Sequence, residues 1–84
     1  MAMNYATTDL YLAACLKTVL NLPLPVIHAN GRLSTFVFEV DSIEAQRIAA
    51  EFYTDAISVH ARRYSQDLRD LKGLLCQLRG ARTQ

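Results

Sequence analysis

Eighty-four residues suffice for one domain and leave no room for a second core. At 51% hydrophobic and 20% charged, with three Gly and two Pro, the chain is neither disordered, collagen-like nor of low complexity. A formal net charge of +1 predicts no strong overall attraction to anions.

The apolar runs fall well short of the roughly 20 residues that span a bilayer, so no membrane partner is expected. Met1 to Asn21 has no basic start ahead of an apolar stretch, the mark of a secretory signal. Two distant cysteines cannot frame a disulfide scaffold, so a reducing, cytoplasmic location is expected. A domain of this size buries only about 60–65% of its unfolded surface. It needs either a well-packed core or a partner subunit, and the expectation is a homodimer.

Thr7, Thr8 and Asp9 place a hydroxyl and a carboxylate where a helix begins. Leu12, Leu16 and Val19 then recur at helical spacing, with Cys15 and Leu20 widening the stripe. The segment Asn21-Leu22-Pro23-Leu24-Pro25 ends that helix, because proline lacks a donor and restricts the residue before it. Val26 to Ala29, the dipeptide Asn30-Gly31 and Arg32 to Val40 predict a β-hairpin on a type I′ turn, which sets His28 opposite Leu33 and Val26 opposite Thr35. Phe36, Phe38 and Val40 form the face that must be core. Leu24, Val26, Leu33 and Val37 gather on the other face, too apolar for a solvated surface, and are the predicted partner interface. His28 falls on that face and is expected to be partly buried or at the interface.

Asp41 and Glu44 have the spacing of a capping box, and the helix they open runs to about Asp55, with Ala45, Ile48, Ala49 and Phe52 inward. Ala56 to Val59 is short and β-prone. A last helix is predicted from about His60 to Arg79, its inward stripe Tyr64, Leu68, Leu71, Leu75 and Leu78, widened by Leu74. Gly80 is its expected stop, residues 80–84 a frayed tail, and residues 1–79 the domain. The fold class is α+β, a small two-layer domain whose core is helix, β-hairpin, helix, helix. If Met3 to Ala6 and Ile57 to Val59 join the sheet, the order becomes β-α-β-β-α-β, ferredoxin-like, plus a C-terminal helix. If they do not, a bare hairpin packs on three helices.

The string Thr7-Thr8-Asp9-Leu10-Tyr11-Leu12-Ala13-Ala14, the strand Phe36-Val37-Phe38-Glu39 and the run Leu68-Arg69-Asp70-Leu71-Lys72 resemble a small uncharacterised bacterial family, classed as a domain of unknown function and also met in phages and mobile elements. The resemblance covers most of residues 7–78 and departs at Asn21 to Pro25, where members carry a Gly-containing turn. It implies the fold and a bacterial or phage origin, and no activity.

Chemistry is sparse. Glycines at 31, 73 and 80 cannot form a phosphate-cradling loop. His28 and His60 lie in different elements, neither four residues from a second ligand on a helix. Cys15 lies on an inward stripe and serves as a small hydrophobe. Cys76 projects from the polar side of the last helix among cations, which favour a thiolate, yet has no base or second cysteine near it in sequence. Glu39 and Asp41 are accounted for by the strand-to-helix junction. No catalytic, cofactor-binding or metal-ligating residue is expected, and the protein reads as non-enzymatic.

The small net charge conceals an asymmetry. Residues 60–84 carry six cations against Asp67 and Asp70, a net +4, whereas residues 1–59 carry three cations against six acids, a net −3. Arg62, Arg69, Lys72 and Arg79 fall along one flank of the last helix, with Ser65, Gly73 and Cys76 among them, and Gly73 is expected to mark a close contact. Asp67 and Asp70 sit on the other shoulder, Asp67 within i,i+4 reach of Arg63. The favoured function is a binding module acting by protein–protein contact, through self-association or by assembly or inhibition of a larger complex. The alternative is a nucleic-acid-binding accessory protein using those four cations on phosphates. A small anionic ligand is a third reading of the same cations.

Overall fold

Carboxylates open the first two helices. The computed structural model describes the backbone of residues 4–30 and 32–82 and the side chains of 4–29 and 32–78. Helix α1 (Leu10–Leu20) starts at Asp9, whose extended backbone frees its side chain to accept from the N–H groups of Tyr11 (2.9 Å) and Leu12 (3.2 Å). The Thr7 hydroxyl accepts from the N–H of Asp9 at 3.1 Å, so threonine steadies the cap rather than forming it. The helix ends at Asn21, left-handed at φ 52°, with the N–H groups of Asn21 and Leu22 returning to the Lys17 carbonyl. The stop therefore precedes Pro23 by two residues.

Helix α2 (Ser42–Tyr53) is capped by Asp41 through the Ile43 N–H at 2.9 Å. Only half of the capping box is present, because Glu44 turns along the helix to Arg47. The helix closes two residues earlier than expected, where the Thr54 hydroxyl donates to the Ala50 carbonyl at 2.8 Å and Asp55 takes φ 63°. Helix α3 (Ala61–Arg82) begins after His60, whose carbonyl accepts from the Tyr64 N–H. It continues past Gly80, which does not end it; residues 83–84 of the expected tail lie outside the described residues.

Strands β1 (Asn4–Thr7), β2 (Val26–Asn30) and β3 (Leu33–Glu39) form one antiparallel sheet in the order β1-β3-β2. The hairpin register differs from the expected one by two residues: Val26 faces Val37, Ile27 faces Phe36, and Asn30 faces Leu33. Asn30 thus belongs to the ladder, and the connecting pair is Gly31-Arg32 in place of Asn30-Gly31; Gly31, on which the type I′ expectation rests, lies outside the described residues. The shift replaces Val26–Thr35 by an apolar Val26–Val37 pair and sets Ile27 against Phe36 in the core. Being even, it leaves every side chain on its expected face.

Of the two provisional strands, the first exists, beginning at Asn4; Met3 lies outside the described residues. The second does not. Residues 56–60 are irregular, and Ile57 and Val59 pack against the core without joining the sheet. They lead into α3, which packs along α1 instead of returning to β1. The molecule is an α+β domain with a three-stranded split β-α-β sheet, and the outer edges of β1 and β2 have no strand neighbour among the described residues.

Helix α1 is the centre of the fold, packing on β1, α2 and α3. Its five consecutive buried residues, Leu12 to Leu16, require neighbours on several sides, and Ala13, Ala14 and Cys15 are small enough to allow them. Phe36 and Phe38 supply the sheet's contribution, Ala45, Ile48 and Ala49 that of α2, and Leu71 that of α3. Val19, expected inward, is 39% exposed, and Thr18 is buried in its place. Leu78, also expected inward, is 36% exposed towards the end of α3.

Candidate functional surfaces

Strand alternation divides the sheet cleanly. Tyr5, Thr7, Ile27, Phe36 and Phe38 share the face that meets the helices. The outward face presents Ala6, Val37 and Val26 as a row across all three strands. Leu24, Val26 and Leu33 are 53%, 61% and 58% exposed, and Val37 is half-buried. The four predicted interface residues do not form one cluster. Leu24, Val26 and Val37 line a shallow groove of about 260 Å³ with Leu22, Pro23 and Pro25. Leu33 lies four residues along β3 from Val37, about 13 Å away, with the Thr35–His28 pair between them. His28, expected to be partly buried or at the interface, is exposed in the single chain, where its face has no covering element among the described residues.

On α3, Arg62, Arg69 and Lys72 are exposed, and none has a carboxylate within 4.0 Å among the described residues. Arg62 and Arg69 flank one depression with Ser65 and Gln66, and Arg69 and Lys72 flank the next. The side chain of Arg79, the fourth predicted contact, lies outside the described residues. Gly73 marks no close approach: a Cβ built there would meet nothing within 4 Å.

A third depression escaped the sequence reading. It is a cleft of about 440 Å³ between the hairpin turn and α3, with Arg32 on one wall and Lys72 and Cys76 on the other. Leu10, Leu33, Phe36 and Leu75 provide apolar lining, and Thr8 and Ser34 add hydroxyls. In the sequence Arg32 stands only as an isolated cation at the expected start of the second hairpin strand, and only the folded chain brings it to the end of the α3 row.

Two polar clusters also went unread. Asp67, buried, takes the Lys17 ammonium at 2.8 Å and the Thr18 hydroxyl at 2.6 Å, both from α1. Burial pushes its pKa up, but these two hydrogen bonds and the charges of Lys17 and Arg63 outweigh that and hold it below the usual value. Arg63 itself donates to the Asn21 side chain at 2.9 Å, so the predicted Arg63–Asp67 bridge does not form. The second cluster is Asp9, whose other oxygen accepts from the Tyr53 hydroxyl at 2.6 Å. Both join elements distant in sequence; neither carboxylate lines the cleft, although Asp9 lies in the chain between its Thr8 and Leu10.

Burial, and secondarily Glu51, raises the Cys15 thiol pKa, which suits an inert packing residue; Cys76 is exposed. Among the described residues no three His, Cys, Asp or Glu side chains gather as a metal site would require, and no helix is long and apolar enough to cross a membrane. No family model, curated protein or solved structure matches this chain.

Proposed function

We propose that this protein is a small non-enzymatic binding module that acts by protein–protein contact through the open face of its sheet, first of all with a second copy of itself. The observation that carries this reading is the outward face itself, where Leu24 and Val26 are each more than half exposed beside the half-buried Val37. A two-layer domain that leaves such a face wet loses hydrophobic stabilisation of about 25 cal/mol for every Å² that a partner would cover. At 84 residues the single core has little stability in reserve. A twofold pair would cover the face with its own copy, apolar row against apolar row. Val37→Lys and Val26→Lys place a charge in the middle of that face without touching the core. Sedimentation equilibrium should give a dimer mass for the natural chain and a monomer mass for either variant, each with an unchanged circular dichroism spectrum. A natural chain that stays monomeric at all concentrations overturns the reading.

A second reading concerns the α3 flank, a nucleic-acid surface made of Arg62, Arg69 and Lys72. Its support is that three exposed cations follow one helix flank for about 15 Å with no carboxylate within 4.0 Å among the described residues. Binding through phosphates would weaken steeply with salt. The Arg62→Ala, Arg69→Ala, Lys72→Ala triple variant should abolish it, and retained affinity in that variant refutes it.

A further inference from the structure

We infer that the cleft between the hairpin turn and α3 receives a base of a single-stranded nucleic acid whose phosphates lie along Arg62, Arg69, Lys72 and Arg32. This rests on the reading of the α3 flank as a nucleic-acid surface and adds to it the strandedness, a fourth cation and a place for the base.

The three depressions share walls. Arg62 and Arg69 bound the first, Arg69 and Lys72 the second, Lys72 and Arg32 the third. The cations therefore succeed one another in a row, which suits a linear polyanion better than a compact anion. No Asp or Glu lines any of the three; the nearest in the chain, Asp9 and Asp70, adjoin the row without lining it. The row also turns: it leaves α3 at Lys72 and crosses to the hairpin at Arg32, a path a flexible strand follows more readily than a stiff duplex.

The third depression differs from the others in kind. The first two are lined by α3 alone, mostly by its polar side chains, whereas this one adds to its two cations the apolar Leu10, Leu33, Phe36 and Leu75 and two hydroxyls. A sugar-phosphate backbone gains nothing from Leu10, Leu33 and Leu75, and a paired base cannot reach them. An unpaired base has apolar faces for those leucines and polar edges for Thr8 and Ser34.

The test measures fluorescence anisotropy with a labelled oligothymidylate, a duplex, an abasic strand of equal length, and polyglutamate as competitor. The oligothymidylate should bind with a log–log salt slope of about −3, the value for four phosphates on a single strand. Arg32→Ala should make that slope shallower by about 0.7. The abasic strand should bind at least about fivefold more weakly, and Leu33→Ala should weaken oligothymidylate while leaving the abasic strand unchanged. As a second readout, bound oligothymidylate should protect Cys76, which lines the cleft, from maleimide. Equal affinity for the abasic strand, or for the duplex, overturns the inference while leaving a phosphate-binding α3 in place. Equal displacement by polyglutamate overturns it in favour of an acidic polypeptide partner. Absence of binding to any nucleic acid removes both this inference and the reading beneath it.

Discussion

Asp9 serves three donors with two oxygens: the N–H groups of Tyr11 and Leu12 on one and the Tyr53 hydroxyl on the other. Burial works to raise its pKa, but the Tyr53 hydrogen bond and the two backbone N–H groups prevail and hold it below 3.8. The same bond, aided by partial burial and the carboxylate's charge, pushes the Tyr53 phenol up to about 12. Because the folded phenol titrates above its ordinary 10.0, the bond's contribution is complete below that value and is lost as pH rises through about 12. Asp9→Asn keeps a capping side chain and removes the charge. Ultraviolet difference titration should then move the Tyr53 transition from about 12 back towards 10.0. The cap was legible because it depends on residues two and three positions away; the tyrosine, 44 residues on, has no local mark.

Among elements, the seam between α1 and α3 is the most informative. Leu68 and Leu71 were readable there from helical spacing alone, since an amphipathic stripe must find an apolar neighbour. The polar content of the seam was not readable. Helical spacing nominates Arg63 for Asp67, but a carboxylate drawn into a seam takes donors from the facing helix, here Lys17 and Thr18. Thr18→Val keeps the shape and deletes one donor to a buried carboxylate. It should cost about 1.5–3 kcal/mol, the range for a hydrogen bond to a charged group, seen as a lower urea midpoint at unchanged slope. Gly73→Ala should act oppositely. With open space around the new methyl, it should add about 0.5–1 kcal/mol by reducing the freedom of the unfolded chain and restoring helix propensity, raising the same midpoint.

At the scale of the whole molecule, the α+β class was legible because periods of 3.6 and 2 alternate along the chain with turn residues between them. The fourth strand of the ferredoxin-like alternative was not excluded by Ile57 and Val59, whose β propensity is satisfied by packing without sheet pairing. The apolar outer face was legible from alternation once the hairpin was placed. The cleft was not, because its walls come from a turn and a helix some forty residues apart. Acid sensitivity is also a property of the assembled chain, since Asp9 and Asp67 each titrate lower in the fold than at their ordinary 3.8. Their contribution is complete above that value and is lost as pH falls through the lower folded values. Thermal midpoints should therefore drop as pH is taken below 3.8, and less steeply in an Asp9→Asn, Asp67→Asn double variant.

The two walls of the cleft are anchored differently. Lys72 follows directly on Leu71, which is completely buried, so the core fixes its backbone. Arg32 rides on the two-residue connection at the tip of a ribbon, beyond the last ladder pair. The cleft thus joins a position set by the core to one at the end of the ribbon, and Leu10 and Phe36, which also line it, tie its floor to α1 and to the sheet.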